Sequence, residues 1–310
     1  MAWFVGIDEA GYGPNLGPMV QAAAALSIPE GCDPWLALAP WLRRSADKDK
    51  SRVLVDDSKK VNAGKNGLAK LEAGPAAFLG LRPGTTLGDW LAAIGLPGTL
   101  DELGNEAWYE GAETLPLFDD VPSDRREALR DAGIETLLLG VKVFPAPIFN
   151  RILAGSGTKA TVTGIGVSSL LATVRTGLAG FEPVVVSCDK LGGRNHYAPI
   201  VQAAFPEAWT TTELESAGES RYRIDSLGRP VTVSFKPRAD AESPATALAS
   251  MTAKYLREVF MGQFNRWWQS RVPDLAPTAG YPLDAKRFFV RIESYLAAQH
   301  LVKADVWREK

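Results

Sequence analysis

Residues Trp3 to Asp8 form a short, unbroken apolar run that ends on an acid and enters a loop carrying Gly11, Gly13, Pro14 and Gly17. A run this short, apolar on both faces and closed by turn residues, reads as a strand buried inside a sheet. The pattern recurs at Pro183 to Asp189, where Val184-Val185-Val186 again leads to an acid. A third acid, Asp240, falls between a predicted strand at 230–236 and a long predicted helix from Ser243 to about Ser270. Apolar strands interleaved with helices restrict the chain to an α/β architecture with a mixed sheet. In such sheets functional groups gather at strand ends, where the loops converge on one crevice.

The remaining elements fit that frame. Met19 to Ile28 reads as the hairpin partner of the first strand, although its alanines at 22–25 are poor strand formers. A strand is predicted at 136–144. A helix is predicted at 163–179, with Val167, Leu170, Leu171, Val174 and Leu178 on one face and Gly180 as its stop. Strands near 209–215, 220–225 and 230–236 form a β-meander, turned by Ser216-Ala217-Gly218 and Ser226-Leu227-Gly228. Residues 73–135 are rich in Gly and Pro and read as an inserted subdomain, with a helix start at Asp124 and a capping box completed by Glu127. Trp267 and Trp268, with Phe260 and Phe264 at helical spacing, read as core.

Composition narrows the chemistry. Only two cysteines (Cys32, Cys188) and two histidines (His196, His300) occur, so a disulfide scaffold or a Cys/His zinc site is not available. Metal chemistry must then rest on carboxylates, and Asp8, Asp189 and Asp240 converging without histidine favour the hard cations Mg²⁺ or Mn²⁺. Such sites commonly hold two ions that activate water and stabilise the leaving oxygen of a phosphodiester. The other reading is structural, because an aspartate at a strand end often only caps the next helix. Glu9 joins Asp8 in one site only if the strand breaks there, since neighbours in a regular strand face opposite ways. The net charge of −2 excludes a generally basic nucleic-acid coat but allows a local basic groove. No apolar stretch reaches the roughly 18 residues of a membrane span, and the first residues lack the basic segment of a secretory signal. A cytoplasmic location is expected.

The residues Gly6-Ile7-Asp8-Glu9-Ala10-Gly11-Tyr12-Gly13-Pro14-Asn15-Leu16-Gly17-Pro18-Met19-Val20 closely resemble the opening motif of type 2 ribonucleases H, ribonuclease HII in particular. Asp57-Ser58-Lys59-Lys60 resembles the next motif of that family. Ala239-Asp240, followed by Ala249 to Lys254 and Arg257, resembles its acid-then-helix motif, and Gly280-Tyr281-Pro282 a further short one. The resemblance implies a ribonuclease H-like fold, with a mixed central sheet flanked by helices and an inserted subdomain. Residues 1–72 and 136–310 would form the catalytic domain, with an extra β-meander at about 205–237, and 73–135 the insertion. It implies an endonuclease that cleaves the RNA strand of RNA/DNA hybrids, or ribonucleotides embedded in duplex DNA. Asp8, Glu9, Asp189 and Asp240 would be its catalytic, metal-binding carboxylates, holding two Mg²⁺ or Mn²⁺ ions. Lys59, Lys60, Ser250 and Lys254 would lie along the substrate backbone, and Tyr281 against the sugar or base.

Two departures from the family stand out. Gly11-Tyr12-Gly13 replaces Gly-Arg-Gly, so the family's reading of an RNA–DNA junction does not carry over, and Tyr12 stacks on substrate or simply packs. After Asp189, the segment Lys190-Leu191-Gly192-Gly193-Arg194 with His196 is either a basic phosphate-contacting loop or an ordinary polar turn. Other readings remain: a nuclease of the same fold acting on another nucleic acid such as a DNA junction, or a non-catalytic nucleic-acid-binding relative. A monomer is expected.

Overall fold

The computed structural model describes residues 1–118, 122–225 and 227–309, with residue 156 described by its backbone alone. Its centre is a seven-stranded mixed sheet. In chain order the strands are β1 (Ala2–Ala10), β2 (Met19–Ile28), β3 (Glu135–Phe144), β4 (Val184–Asp189), β5 (Trp209–Glu215), β6 (Ser220–Asp225) and β7 (Val231–Lys236). Their order across the sheet is β3-β2-β1-β4-β7-β6-β5. The pairs β1–β4 and β4–β7 are parallel, and the others are antiparallel. The α/β architecture expected from the sequence, a mixed sheet flanked by helices, is therefore present. The meander strands are found as expected, and β7 continues them into the central sheet beside β4. Of the two meander turns, the second includes Ser226, which lies outside the described residues.

The alanines of β2 show why propensity is overridden here. Every residue of β2 is buried, with Ala22 and Ala24 facing the long helix Pro244–Gln269 and Ala23 and Ala25 facing the helix Lys159–Gly177. Small side chains let both helices approach closely, and tertiary packing outweighs a weak strand preference. On the neighbouring strand β1 the approach is close at Gly6, where a Cβ would sit 2.0 Å from the backbone nitrogen of Thr246. Segments between 81 and 134 contribute Leu87, Trp90, Leu103, Leu115 and Leu129 to the same hydrophobic cluster as the long helix. Phe260, Phe264 and Trp268 are buried, in agreement with their reading as core.

Two local expectations are corrected. The strand β1 does not break after Asp8: Asp8 pairs with Ala22, Glu9 with Gln21 and Ala10 with Val20 in unbroken register, and the Glu9 carboxylate nevertheless lies near enough to raise Asp8, so the break is not required. The helix expected to start at Asp124 spans Arg126–Asp131 and has no capping box. The Asp124 carboxylate is taken up by the backbone and guanidinium of Arg126, so it is not free to cap in the expected way. Among the described residues, no helix is long and apolar enough to cross a membrane.

Candidate active site

Three strand ends, carrying four acids, meet on one side of the sheet. Asp8 and Glu9 close β1, Asp189 closes β4, and Asp240 lies in the short helix Ala239–Glu242 that follows β7. The parallel alignment of β1, β4 and β7 brings these ends to the same side. Asp189 is tied to the neighbouring segment by the Ala239 N–H, which donates to its Oδ1 at 3.2 Å. Asp8 is buried at the foot of the long helix, and its Oδ1 accepts from the Glu9 N–H at 2.7 Å.

Electrostatics couple the four acids. Burial, then Glu9, then Asp189 hold the Asp8 carboxyl well above the usual range, opposed by the Ser250 hydroxyl. Glu9 is pushed up to about 7 by burial and Asp189, with Lys59 pulling the other way. Asp189 is raised by burial, against backbone N–H groups and Lys59. Asp240 is raised by burial, then by Asp57 and Asp189. The thiol of Cys188, buried among them, is also pushed up, by burial and then by Asp189, Asp8 and Glu9. Closely placed carboxylates that raise one another's pKa carry negative charge which a cation would relieve.

The donor set fits Mg²⁺ or Mn²⁺ in its chemistry, being all hard carboxylate oxygen with a surplus of negative charge. Among the described residues, no three acidic, histidine or cysteine side chains are gathered into a ready ligand set.

Beside the acids opens a cleft of about 320 Å³, lined by Glu9, Gly11, Tyr12, Gly13, Pro14, Ser58, Lys59, Lys254 and Tyr281. Gly11 adopts φ +93°, and a Cβ there would lie 2.7 Å from Arg257 Nε and from the Pro18 carbonyl, so the loop requires glycine at this point. Lys59 sits in the short helix Ser58–Asn62, whose first turn is capped by Asp57 through the Lys59 N–H at 2.8 Å. Lys254 comes from the long helix, with its ammonium 2.5 Å from Glu258. Tyr12 and Tyr281 are partly exposed at the cleft, Tyr12 beneath Lys159 and Tyr281 beside Arg257, each with the cation 6.0 Å from the ring centre. Ser250 is buried just below and bonds Ser58 at 3.0 Å.

Other expected residues are placed elsewhere. Lys60 pairs with Asp56 at 3.6 Å and also weighs electrostatically on Asp240. Lys190 turns inward, donating to Asn195 Oδ1 at 2.7 Å and the Ser216 carbonyl at 2.5 Å, so its ammonium is used to hold the loop. Arg194 lines a separate groove with Thr161, Gly164 and Ile200. In the meander, Tyr222 is buried, Arg221 is paired with Glu219 and Arg223 with Asp225. Sequence reasoning placed Asp57 and Ser58 in a motif without giving them a role, and passed over Glu258. Glu258 stands four residues after Lys254, an ion-pair spacing visible on any predicted helix.

No protein-family model and no curated protein sequence matches this chain. Solved structures do match. The chain is similar to the ribonuclease HII of Archaeoglobus fulgidus in its complex with PCNA, at 15% identity and TM-score 0.42, over 99% of this chain and 94% of that one. It is similar to the ribonuclease H2 of Pyrococcus horikoshii OT3, at 14% identity and TM-score 0.42, over 98% of this chain and 92% of that one. It is also similar to Bst-RNase HIII in complex with Mn²⁺, at 15% identity and TM-score 0.46, over 99% of this chain and 66% of that one. All three bear names from the type 2 ribonuclease H group that the sequence motifs resemble. At these identities and TM-scores, the chemistry is read from this chain's own residues.

Proposed function

We propose that the protein is a metal-dependent endonuclease that hydrolyses the RNA strand of RNA/DNA hybrids, or ribonucleotides embedded in duplex DNA, acting as a cytoplasmic monomer. The observation that carries the proposal is the placement of Asp8, Glu9 and Asp189 close enough that Glu9 and Asp189 raise Asp8 and Asp189 raises Glu9, beside a cleft lined by Glu9, Lys59 and Lys254. Asp8, Glu9, Asp189 and Asp240 would hold two Mg²⁺ or Mn²⁺ ions. Such ions, when bound, activate a water and stabilise the leaving oxygen, giving a 5′-phosphate and a 3′-hydroxyl. Lys59 balances charge at the acids and, with Lys254, places point charges where substrate phosphates pass. The exposed rings of Tyr12 and Tyr281 offer apolar faces for a sugar or base. Residues 1–72 and 136–310 are the catalytic domain in this reading, and 73–135 elaborate it.

Tyr12 favours a second reading, a nuclease of this kind acting on another substrate such as a DNA junction. One labelled set tests both: an RNA/DNA hybrid, duplex DNA with one ribonucleotide, a four-way DNA junction and single strands, each with Mg²⁺ or Mn²⁺. Cleavage of the first two supports the proposal. Cleavage of the junction alone replaces it with the second reading, and cleavage of none rejects both.

A further inference from the structure

Arg308 follows the short helix Lys303–Val306 and is fully buried, an uncommon place for a guanidinium. Its Nη2 donates to the carbonyl of Gly11 at 2.6 Å and to the carbonyl of Pro14. Its own backbone is locked to the same loop: the Arg308 N–H donates to the Asn15 carbonyl at 2.7 Å, and Asn15 Nδ2 donates to the Arg308 carbonyl at 3.0 Å. Trp307 bridges Leu16 in antiparallel fashion. Asn150 fastens the segment from the other side, donating to the Trp307 carbonyl at 2.8 Å and accepting from the Glu309 N–H at 2.8 Å. The Gly11–Leu16 loop is thus held by a segment nearly three hundred residues away, as well as by Gly280, whose carbonyl accepts from the Asn15 N–H.

A packing role alone does not account for arginine here. The guanidinium lies 4.9 Å from the centre of the Phe149 ring, and among the described residues its Nε and Nη1 have no hydrogen-bond partner. Burying a charge with unpaired donors is unfavourable, and an apolar side chain of similar length would pack at lower cost. What the guanidinium adds is a terminal Nη2 amino group, held in plane at the end of a long side chain, whose two hydrogens take two loop carbonyls at once. Each carbonyl drawn inward removes an acceptor from the cleft surface and, the peptide being trans, turns the following N–H the other way. Oxygen atoms facing the cleft would repel a phosphodiester backbone. Gly11 also abuts Arg257, so two buried guanidinium groups border the loop. Burial and then Arg257 lower Arg308 to about 9, which leaves it cationic at neutral pH.

We infer that Arg308 is a positioning residue for substrate: by holding the Gly11 and Pro14 carbonyls inward it fixes the Gly11–Tyr12–Gly13 stretch in a form that accepts a phosphodiester backbone. This inference rests on the nuclease reading for its consequence, though not for its geometry. The test compares the intact protein with Arg308→Met and Arg308→Lys. In Arg308→Met, amide hydrogen exchange at residues 11–16 should speed up by about tenfold or more. KM for the preferred substrate should rise by about tenfold or more while kcat changes far less, and Mn²⁺ affinity by calorimetry should stay within about twofold. Arg308→Lys, which keeps a donor cation but lacks the reach and fixed plane of the Nη2 group, should fall between the two. Unchanged exchange in the Met variant overturns the inference, as does loss of Mn²⁺ affinity in step with a rise in KM, which would mark a general loosening. Should the Met variant fail to fold, the Lys variant decides: unchanged exchange and KM overturn the inference, and intermediate values support it. If the intact protein cleaves none of the substrates, the functional reading fails, and the exchange comparison still decides whether Arg308 holds the loop.

Discussion

The hydroxyls of Ser58 and Ser250, 192 residues apart in sequence, lie 3.0 Å from one another in the interior. Through this contact the helix carrying Lys59 is joined to the long helix directly under Asp8, which Ser250 also touches. Removing either hydroxyl leaves its buried partner short of a bond. Ser58→Ala and Ser250→Ala should each destabilise the fold by about 1 kcal/mol, with the double variant less than additive. Urea denaturation of the four proteins measures this. Strict additivity would mean that the hydroxyls do not interact.

Asp8→Asn should separate stability from activity. Removing a buried carboxylate that Glu9 and Asp189 disfavour relieves repulsion, so the metal-free variant should melt higher, by about 2 °C or more. The same substitution deprives a bound cation of its most buried ligand and should lower Mg²⁺-dependent cleavage by ~10²-fold or more. Thermal melts with EDTA and cleavage assays with Mg²⁺ provide the two readings. Full activity in this variant would remove the carboxylates from the mechanism.

Glu9 sets the pH dependence. Burial and Asp189 push its carboxyl to about 7, so a cation must displace a proton there at lower pH. Mn²⁺ affinity should therefore climb with pH up to about 7 and flatten above it, at roughly tenfold per pH unit for this one proton. In Glu9→Gln the part of the climb that Glu9 contributes near pH 7 should be lost, leaving what Asp8, whose carboxyl is also raised, contributes. For the metal-free fold the sign is opposite. The raised pKa means that neutral Glu9 supports stability fully below about 4.5, and that this support is lost as pH rises through about 7. Calorimetric titrations at several pH values, paired with denaturation of the metal-free protein, check both directions.

With a net charge of −2, binding to nucleic acid must depend on a few local cations and so be sensitive to salt. Lys59→Ala should weaken hybrid binding across sequences and reduce the slope of log affinity against log salt by about 0.7–0.9. Lys190→Ala should leave that slope unchanged, because the Lys190 ammonium is bonded to Asn195 and Ser216. Fluorescence anisotropy at a series of salt concentrations distinguishes the two. Equal effects would mean that the 190–196 loop reaches the substrate after all.

The parts of this protein readable from sequence are those governed by neighbours along the chain. The apolar run at Trp3–Asp8, the valines at 184–186 and the turn glycines specify strands and their ends, and strand ends place Asp8, Asp189 and Asp240 on one side of the sheet once the strands are parallel. Absence of a histidine or cysteine cluster likewise leaves carboxylate as the donor type. Tertiary structure alone decided the rest. An alanine-rich strand holds because two helices close on it, and Lys190 turns inward because Asn195 and Ser216 present acceptors there. Ser58 meets Ser250, and Arg308 reaches Gly11, through contacts that span most of the chain. A local pattern records backbone preference and burial, whereas the partner of a buried polar group depends on which distant segment the fold brings beside it.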